Sequence, residues 1–472
     1  MRRLSVIILG ALLLSLAVAE KQASAAALTI EECVERALQQ NPGYRAALLD
    51  ADMAREEIII AKSALMPSLR LRAYGTVLDR TGIFRTPENT FAPGFPPYAV
   101  DTPLDNRLMY GVSGIVDQAL YAGGALQGNY KRSRILQEEA GHSVAHQRNM
   151  LVFDVKRAFH QLVREELIRS ALERVVVAKR ERRRVVIARQ HEGLAEREEV
   201  LLVDADVAGA ELALTRSGNR VALARTKLAN LMNEEDSAKI QVASTQSNQR
   251  LAVSLSDLKN LAYTKREDIK ASENKIVALQ EAVSIARSEY YPKINMQGSY
   301  TAQRETNIDR PSIWALMLKM EWPIFEWGRT GAQVKKSELA VERARHEHAE
   351  LLRAAALEVE GAWRDVEDRE QEVRYQEKRI AAAEYIGTKT AARYRERSVR
   401  LAELLQAEGD LISAYHDYIA ALHDVQVGLA RLEASVMRID ERWISQEPIR
   451  EVSFWPIAEA KKSPAPKAPS DG

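Results

Sequence analysis

The sequence predicts a mixed α and β protein made of two tandem repeats, each with a pair of strands and long helices. Three observations lead to this fold class. Prolines are absent between Pro103 and Pro292 and between Pro323 and Pro448, and both spans are rich in the residues of long helices. Four other segments alternate apolar and polar residues, which is the period of a strand. The two halves of the chain also match each other.

The helical spans are too long for one globular core. In the first span, apolar residues recur at the three- and four-residue spacings of an amphipathic helix; they are Val152, Val155, Phe159, Leu162, Val163 and Leu167. A continuous helix over about residues 125–190 would be roughly 100 Å long at a rise of 1.5 Å per residue. Such helices must therefore pack side by side, in a coiled coil or a helical barrel.

The alternating segments each have one apolar face. Residues 68–77, 110–118 and 294–303 show the pattern, and residues 314–322 show it most clearly. The apolar face of this last segment consists of Trp314, Leu316, Leu318, Met320 and Trp322.

The repeat is visible residue by residue. Residues 37–69 match residues 262–294 at a constant offset of 225, and from Tyr110 onward the offset is 204, so that Phe159 corresponds to Trp363. The difference of 21 residues lies between the two strands of each repeat, where the first repeat has a long, proline-rich loop. Each repeat therefore reads as helix, strand, loop, strand, long helix, break and helix.

These matches divide the chain into four segments: a signal peptide (1–25), the first repeat (26–250), the second repeat (251–445) and a partly disordered periplasmic tail (446–472). After its opening helix, the first repeat should have strands over about 68–78 and 108–121 and long helices over about 125–191 and 195–233. The second should have strands over about 293–303 and 312–325 and long helices over about 328–396 and 399–440.

The N-terminus predicts secretion. A basic Arg2-Arg3 start and an apolar run precede Ala23-Ser24-Ala25, which fits the cleavage rule of signal peptidase, and Ala17-Val18-Ala19 is a second possible site. Removal of residues 1–25 leaves nearly equal numbers of basic and acidic residues, which argues against nucleic acid as a partner. Cys33, the only cysteine, excludes an intrachain disulfide. No later stretch approaches eighteen apolar residues, so we expect no membrane-spanning helix.

Strands with one apolar and one polar face suit a membrane barrel, in which every backbone group is paired within a closed ring. Four strands cannot close such a ring, because the smallest membrane barrels have eight. Several chains must therefore contribute strands to an oligomeric transmembrane β-barrel with four strands per chain. The alternative, two soluble hairpins, leaves Trp314, Leu316, Leu318 and Trp322 with neither lipid nor a core to contact.

Three motifs resemble the TolC family of outer-membrane efflux proteins. The opening from Leu28-Thr29-Ile30-Glu31-Glu32 to Asn41-Pro42 is similar to the start of the family's sequences. Residues 61–67, with the sequence Ala-Lys-Ser-Ala-Leu-Met-Pro, resemble the family's helix-to-strand entry. Residues 322–329, with the sequence Trp-Pro-Ile-Phe-Glu-Trp-Gly-Arg, are similar to its strand-to-helix exit. The resemblance covers about residues 28–440, nearly the whole secreted chain.

The resemblance implies a homotrimer whose twelve-strand barrel in the outer membrane continues into a twelve-helix periplasmic barrel. It also implies three kinds of partner: outer-membrane lipid, a periplasmic membrane-fusion adaptor and an inner-membrane pump of the RND or ABC type. Such an exit duct serves efflux or type I secretion by passive conduction. We find no local motif of a catalytic, metal or cofactor site, so we expect no enzyme activity and no cofactor.

The breaks between the long helices correspond to the family's adaptor-contacting turns. Gly193 and Leu194 keep the family's residues in the first turn. Arg397 and Ser398 occupy the second turn, where Arg397 stands in place of the glycine.

The resemblance also implies a periplasmic gate. Glu199 and Glu403 occupy equivalent places in the two repeats and match acidic residues near the narrow end of the tunnel. Tyr394 matches a tyrosine that helps hold the closed state. A second acidic ring is not matched, because Gln406 occupies that position.

Two other signals have more ordinary explanations. His142 and His146 have a metal-binding spacing, but without a third ligand we interpret them as solvated helix residues. The basic run over residues 179–184 fits a solvated or salt-bridging helix face better than a docking surface, which is the alternative. For the whole chain, the alternative is a periplasmic coiled-coil scaffold, which explains the long helices but not the duplicated strand pairs.

Overall fold

The computed structural model describes residues 27–77, 83–88, 93–94, 96–101, 108–243, 248–304, 312–437 and 443–447. The expected signal peptide, much of the proline-rich loop and the tail beyond residue 447 lie outside the described residues.

The described chain is mostly helical. Its α-helices are α1 (Ile30–Gln40), α2 (Pro42–Ser63), α3 (Ala125–His191), α4 (Arg197–Leu231), α5 (Leu255–Lys265), α6 (Glu267–Arg287), α7 (Arg329–Arg395) and α8 (Leu401–Val436). A capping box starts α1: the Thr29 hydroxyl accepts a hydrogen bond from the Glu32 N–H at 3.3 Å, and the Glu32 carboxylate accepts one from the Thr29 N–H at 3.1 Å.

Both repeats break their opening helix at the same place. Asn41 and Arg266, equivalent in the repeat, end α1 and α5 with extended ψ angles of 121° and 124°. Pro42 explains the first break, because a proline disfavours helical backbone in the residue before it. At the second break, the buried Arg266 guanidinium donates to the Ser435 carbonyl at 3.1 Å. The Asn41 amide makes the equivalent bond to the Leu231 carbonyl at 3.0 Å, so the duplication extends to tertiary contacts.

The strands are β1 (Ser68–Val77), β2 (Ile83–Thr86), β3 (Tyr98–Asp101), β4 (Leu108–Ala122), β5 (Asn248–Leu251), β6 (Lys293–Arg304), β7 (Ser312–Glu321) and β8 (Ile444–Glu447). Four of them form one antiparallel sheet in the order β1-β4-β6-β7, while β2 pairs with β3 and β5 with β8. Strand β7 ends before the predicted boundary near residue 325, because Pro323 cannot donate a ladder hydrogen bond.

The register of the four-stranded sheet produces one apolar face. Two cross-strand rows illustrate it: Leu69–Val116–Gly298–Leu316 and Leu71–Gly114–Tyr300–Trp314. The opposite face is more polar, and its row Arg72–Ser113–Thr301 ends at Ile313 on β7. Strands β1 and β7 are the outer strands, and within the described residues neither has a partner on its outer side.

The chain forms two compact units that do not follow the repeat boundary. Unit 1 comprises Met1–Ala47, Val144–Glu267 and Leu352–Gly472, and unit 2 comprises Leu48–Ser143 and Asp268–Leu351. Each unit therefore draws segments from both repeats, and unit 2 contains the four-stranded sheet.

Unit 1 has two main hydrophobic cores, one from each repeat. The first lies between α1, α3 and α4 around Cys33 and Leu162, and the second lies between α5, α7 and α8 around Leu258, Val359 and Leu432. Among the described residues, no helix combines the length and the apolar character needed to span a bilayer.

Candidate functional site

Two helix turns in unit 1 share the same hydrogen bonds. In the first, the Leu194 N–H donates to the Arg189 carbonyl at 2.7 Å, and the Gly193 N–H donates to the Gln190 carbonyl at 3.0 Å. The equivalent bonds of the second turn, over residues 393–398, measure 2.9 and 3.0 Å. This pair of bonds is the Schellman motif, which satisfies the last carbonyl groups of α3 and α7.

The Schellman motif needs a left-handed residue at its fifth position. Gly193 supplies it in the first turn with φ +73°, and Arg397 supplies it in the second with φ +58°. Left-handed backbone is unfavourable for a residue with a Cβ atom. The second turn nevertheless has the same shape as the first, with Arg397 in the unfavourable left-handed conformation. Both residues are exposed, as are Leu194 and Ser398.

A hydrophobic cluster joins the two turns. It consists of buried Val186, Val203, Ala391, Leu401 and Leu404, with partly buried Ala195, Val200, Tyr394 and Leu405 against them. The ends of α3 and α7 and the starts of α4 and α8 all contribute. Tyr394 belongs to this cluster, and the other predicted turn and gate residues lie on the same helix ends. We call this region the helix tip.

The two predicted gate glutamates have different surroundings. Burial raises the pKa of Tyr394, the negative charge of Glu199 adds to this shift, and Arg189 opposes it. Glu199 is therefore near enough for its charge to act on the Tyr394 hydroxyl group. Glu403 is exposed, and its carboxylate accepts a hydrogen bond from the Arg400 N–H at 3.4 Å, so it caps the start of α8.

The basic run over residues 179–184 forms ion pairs within the chain. The pairs are Lys179–Asp206, Arg180–Glu211 and Arg183–Asp204 with α4, Arg182–Glu408 with α8, and Arg184–Glu181 within α3. These contacts favour the salt-bridging interpretation over the docking surface.

The pair between Arg182 and Glu408 is the most buried of these, with 10% and 4% of the two side chains exposed. Burial raises the pKa of Glu408, while Arg182 and Lys179 oppose the shift. Within the described residues, the second carboxylate oxygen of Glu408 has no hydrogen-bond partner. The carboxylate therefore depends on Arg182 for its charged state.

Sequence analysis missed this pair, although the repeat contains a signal for it. Asp204, the residue equivalent to Glu408, pairs with Arg183 of its own repeat. The position equivalent to Arg183 in the second repeat is Gly387. An acidic residue that is kept while its basic partner is lost indicates that another helix supplies the cation.

Sequence analysis also missed a pair of buried histidines between α3 and α8. The ring centroids of His160 and His423 lie 6.2 Å apart. Burial lowers the pKa of His160 to about 4, and nearby Lys156 contributes. Burial likewise lowers the pKa of His423 to about 3, with contributions from His160 and Arg164. Both rings are therefore neutral at pH 7, beside a cavity of about 250 Å³.

The predicted lipid-facing residues lie in unit 2. Trp314, Leu316, Leu318 and Met320 alternate along β7 and are exposed on one face. Trp322 follows directly after the strand, and its indole N–H donates to the Tyr290 carbonyl at 3.0 Å. Within the described part of the chain, no group of three or more His, Cys, Asp or Glu side chains is arranged to hold a metal ion.

Comparison with known proteins finds one family model that matches part of the chain. Residues 258–436 match the model of the outer membrane efflux protein family. This match confirms the resemblance noted in the sequence. Among curated proteins, no sequence matches the chain.

Solved structures share the fold over most of the chain. A membrane protein from Pseudomonas aeruginosa has a TM-score of 0.73 at 19% identity, covering 86% of this chain and 93% of its own. The Campylobacter jejuni CmeC outer membrane channel has a TM-score of 0.73 at 15% identity, covering 86% and 85%. The open state of the Neisseria gonorrhoeae MtrE outer membrane channel has a TM-score of 0.69 at 18% identity, covering 87% and 89%. At these identities the likeness establishes the mixed, mostly helical fold.

Replacement of Arg182 tests the buried ion pair. Arg182→Leu should lower the free energy of unfolding by about 3–5 kcal/mol, because it leaves the buried Glu408 carboxylate without its cation. Thermal denaturation of the purified protein measures the change. The matched control is Arg183→Leu, which removes a more exposed pair and should cost less than about 1 kcal/mol. Equal losses from the two variants would contradict the assignment.

Acid should destabilise the packing of α3 against α8, where His160 and His423 are buried. An unfolded histidine titrates near pH 6.5, whereas folded His160 and His423 stay neutral down to about 4 and 3. The unfolded state therefore binds more protons in this window. As the pH is lowered, the free energy of unfolding should fall by up to about 1.4 kcal/mol per pH unit for each histidine.

Chemical denaturation between pH 7 and pH 4 measures this slope. His423→Phe should flatten it, because one of the two buried histidines no longer titrates. His191→Gln, which replaces an exposed histidine at the end of α3, should keep the parent slope. An unchanged slope in His423→Phe would contradict the prediction.

Proposed function

From the match of residues 258–436 to the model of the outer membrane efflux protein family, we propose that this chain is the outer-membrane channel of an export system. Three copies form the channel. The strands lie in the outer membrane, the helix tip lies in the periplasm, and substrates pass through by passive conduction.

The observation that carries this proposal is the four-stranded sheet with one apolar face and two open edges. In lipid, every backbone group must be hydrogen-bonded within the protein. The sheet leaves the outer sides of β1 and β7 unpaired within the described residues. Pairing β7 of one copy with β1 of the next satisfies both edges and closes a ring. Three copies supply twelve strands, above the minimum of eight for a membrane barrel.

The helices of unit 1 support the same assembly. Ion pairs join α4 to α3, α3 to α8 and α8 to α7, so α4 and α7 are the outer helices of this set. On α4, exposed Leu201, Leu212 and Leu223 recur every eleven residues, which is close to three turns. On α7, exposed Leu357 and Tyr375 are eighteen residues, or five turns, apart. Each outer helix therefore exposes apolar side chains that α7 or α4 of a neighbouring copy can cover.

The helix tip suits contact with partners and control of the opening. Gly193, Leu194, Arg397 and Ser398 are exposed on two turns of the same shape, which supports docking of a periplasmic membrane-fusion adaptor. Through the adaptor the channel receives substrates from an inner-membrane pump of the RND or ABC type, in efflux or in type I secretion. Three copies of Glu199, Glu403 and Tyr394 form the periplasmic gate.

A periplasmic coiled-coil scaffold is the alternative function. It accounts for the ion-paired long helices. It does not account for Trp314, Leu316 and Leu318, which are exposed on one face of a sheet with open edges. A soluble protein rarely leaves an apolar surface of this kind uncovered.

The oligomeric state tests the channel proposal. Because four strands leave unpaired edges in lipid, the protein extracted from the outer membrane in detergent should be a trimer, with no folded membrane-inserted monomer. Light scattering coupled to size exclusion gives the mass of the protein in the micelle. A monodisperse folded monomer would contradict the barrel, and a trimer that stays soluble without detergent would support the scaffold.

Single-channel recording in planar bilayers tests the gate. Three copies of Glu199 and Glu403 bring six carboxylates to one opening, where crowded negative charge attracts cations. Glu199→Gln combined with Glu403→Gln should lower cation selectivity and weaken block by trivalent cobalt complexes. Glu198→Gln, a neighbouring exposed carboxylate in the first turn of α4, is the matched control and should leave both unchanged. Parent-like selectivity and block in the double variant would exclude the gate assignment but not the channel.

A further inference from the structure

The two hairpins of the four-stranded sheet have the same register. In the first repeat, Ser68 on β1 lies opposite Asp117 on β4. In the second repeat, Lys293 on β6 lies opposite Glu321 on β7. These positions are equivalent, because the repeat relates β1 to β6 at the offset of 225 and β4 to β7 at the offset of 204. The correspondence between the repeats therefore holds in the strand pairing as well as in the sequence.

The contact between the two hairpins is a template for a contact between two chains. Within the chain, the second strand of the first repeat, β4, pairs with the first strand of the second repeat, β6. The two outer strands of the sheet are the remaining ones, β7 of the second repeat and β1 of the first. A second copy that brings its β1 to β7 therefore reproduces the arrangement of β4 and β6 between chains.

The template also gives the register of this contact. Asp117 on β4 lies opposite Gln297 on β6, and the Gln297 side-chain amide donates to the Asp117 carboxylate at 2.6 Å. At the offsets of the repeat, Glu321 is equivalent to Asp117 and Arg72 is equivalent to Gln297. The same register at the outer strands therefore places Glu321 of one copy opposite Arg72 of the next.

The charges at this position are complementary. Arg72 is exposed on β1 and forms no ion pair within the described residues, whereas Arg70 on the same strand pairs with Asp117. Glu321 is exposed on β7, with one carboxylate oxygen 3.1 Å from the Lys319 ammonium group. A carboxylate accepts several hydrogen bonds, so Glu321 has capacity for a guanidinium as well.

Arg72 and Glu321 meet only between chains. Strands β1 and β7 are three strands apart in the sheet, which is roughly 14 Å at about 4.8 Å per strand. Both side chains lie on the more polar face of the sheet, away from the apolar row that contains Leu316. Opposite charges that face each other across antiparallel strands stabilise the pairing.

We propose that β7 of one copy pairs with β1 of the next in the register of β4 with β6, and that Arg72 and Glu321 form an ion pair across this junction. The ion pair specifies the register. A slip of two residues places Arg72 opposite Lys319, a like charge, or opposite Pro323, which donates no ladder hydrogen bond. A slip of one residue turns the apolar side chains of β1 to the wrong face. This inference rests on the proposed channel of several copies.

Disulfide cross-linking tests the register with four double variants of the full-length protein, each with Cys33→Ala. Two variants place cysteines at positions predicted to lie opposite each other: Arg72→Cys with Glu321→Cys, and Tyr74→Cys with Lys319→Cys. The matched controls exchange the partners: Arg72→Cys with Lys319→Cys, and Tyr74→Cys with Glu321→Cys. Directly opposite residues are close enough for a disulfide, whereas diagonal residues are about 7–8 Å apart and are not.

After oxidation of the protein extracted from the outer membrane, a non-reducing denaturing gel measures the covalently linked chains. The two opposite pairs should give several-fold more linked dimer and trimer than the exchanged pairs. Preferential linking of an exchanged pair would overturn the register, as would the absence of linking in a protein that is a trimer by light scattering. A folded monomer would instead overturn the channel and the pairing together.

A double-mutant cycle tests the ion pair itself. Arg72→Ala and Glu321→Ala should each lower the temperature at which the trimer dissociates in detergent by several degrees. The double variant should lose no more than the weaker of the two single variants, because both remove the same interaction. Arg72→Gln, which copies Gln297 of the template, should keep most of the stability.

The matched control for the cycle is Arg70→Ala, which removes an ion pair within the chain. Its loss should add to that of Glu321→Ala, since the two side chains have different partners. Additive losses for Arg72→Ala and Glu321→Ala would overturn the ion pair between chains.

Discussion

A β-sheet with open edges is the constraint on which the molecule depends. The four strands pair with one another inside the sheet, but β1 and β7 each leave one side unpaired within the described residues. Their side chains add a second demand, because the rows through Leu316 and Trp314 make one face apolar. In water the apolar face stays exposed to solvent, and in lipid the backbone groups at the open edges find no hydrogen-bond partners. The proposed association of several copies in a bilayer meets both demands, and exposed apolar side chains on the outer helices α4 and α7 suit the same association.

The two repeats share the same order of helices and strands, but equivalent positions in them can carry different residues. Asn41 and Arg266 make equivalent contacts with different chemistry, which shows that the break between opening helices is set by tertiary hydrogen bonds as well as by proline. Gly193 and Arg397 occupy the same left-handed position in the two helix turns, so the turn forms both with glycine and with arginine. At Gly123 and Trp327, the same backbone faces packed protein in one repeat and open surface in the other. At Gly123 and Trp327 the departure marks a place where the two repeats have different neighbours.

The sequence predicted the fold class and the family resemblance because both depend on local patterns. The period-two segments correspond to strands of an antiparallel sheet, and the proline-free spans correspond to long helices. Strand β7 ended before the predicted boundary near residue 325, since Pro323 cannot pair. The candidate site was predicted only in part. The family resemblance located both helix turns. It did not indicate that Arg397 would adopt the left-handed conformation or that Glu199 and Glu403 would differ in burial.

By itself, the sequence determined the period of each element, the duplication and the apolar strand face, since these follow from the order of residues along one segment. The tertiary structure alone decided which side chains from distant helices meet. Arg182 pairs with Glu408, and His160 faces His423, because α3 packs against α8 across the boundary between the repeats. Residues more than two hundred positions apart leave no local pattern of their contact. The charge state of these groups depends on burial, which only packing creates.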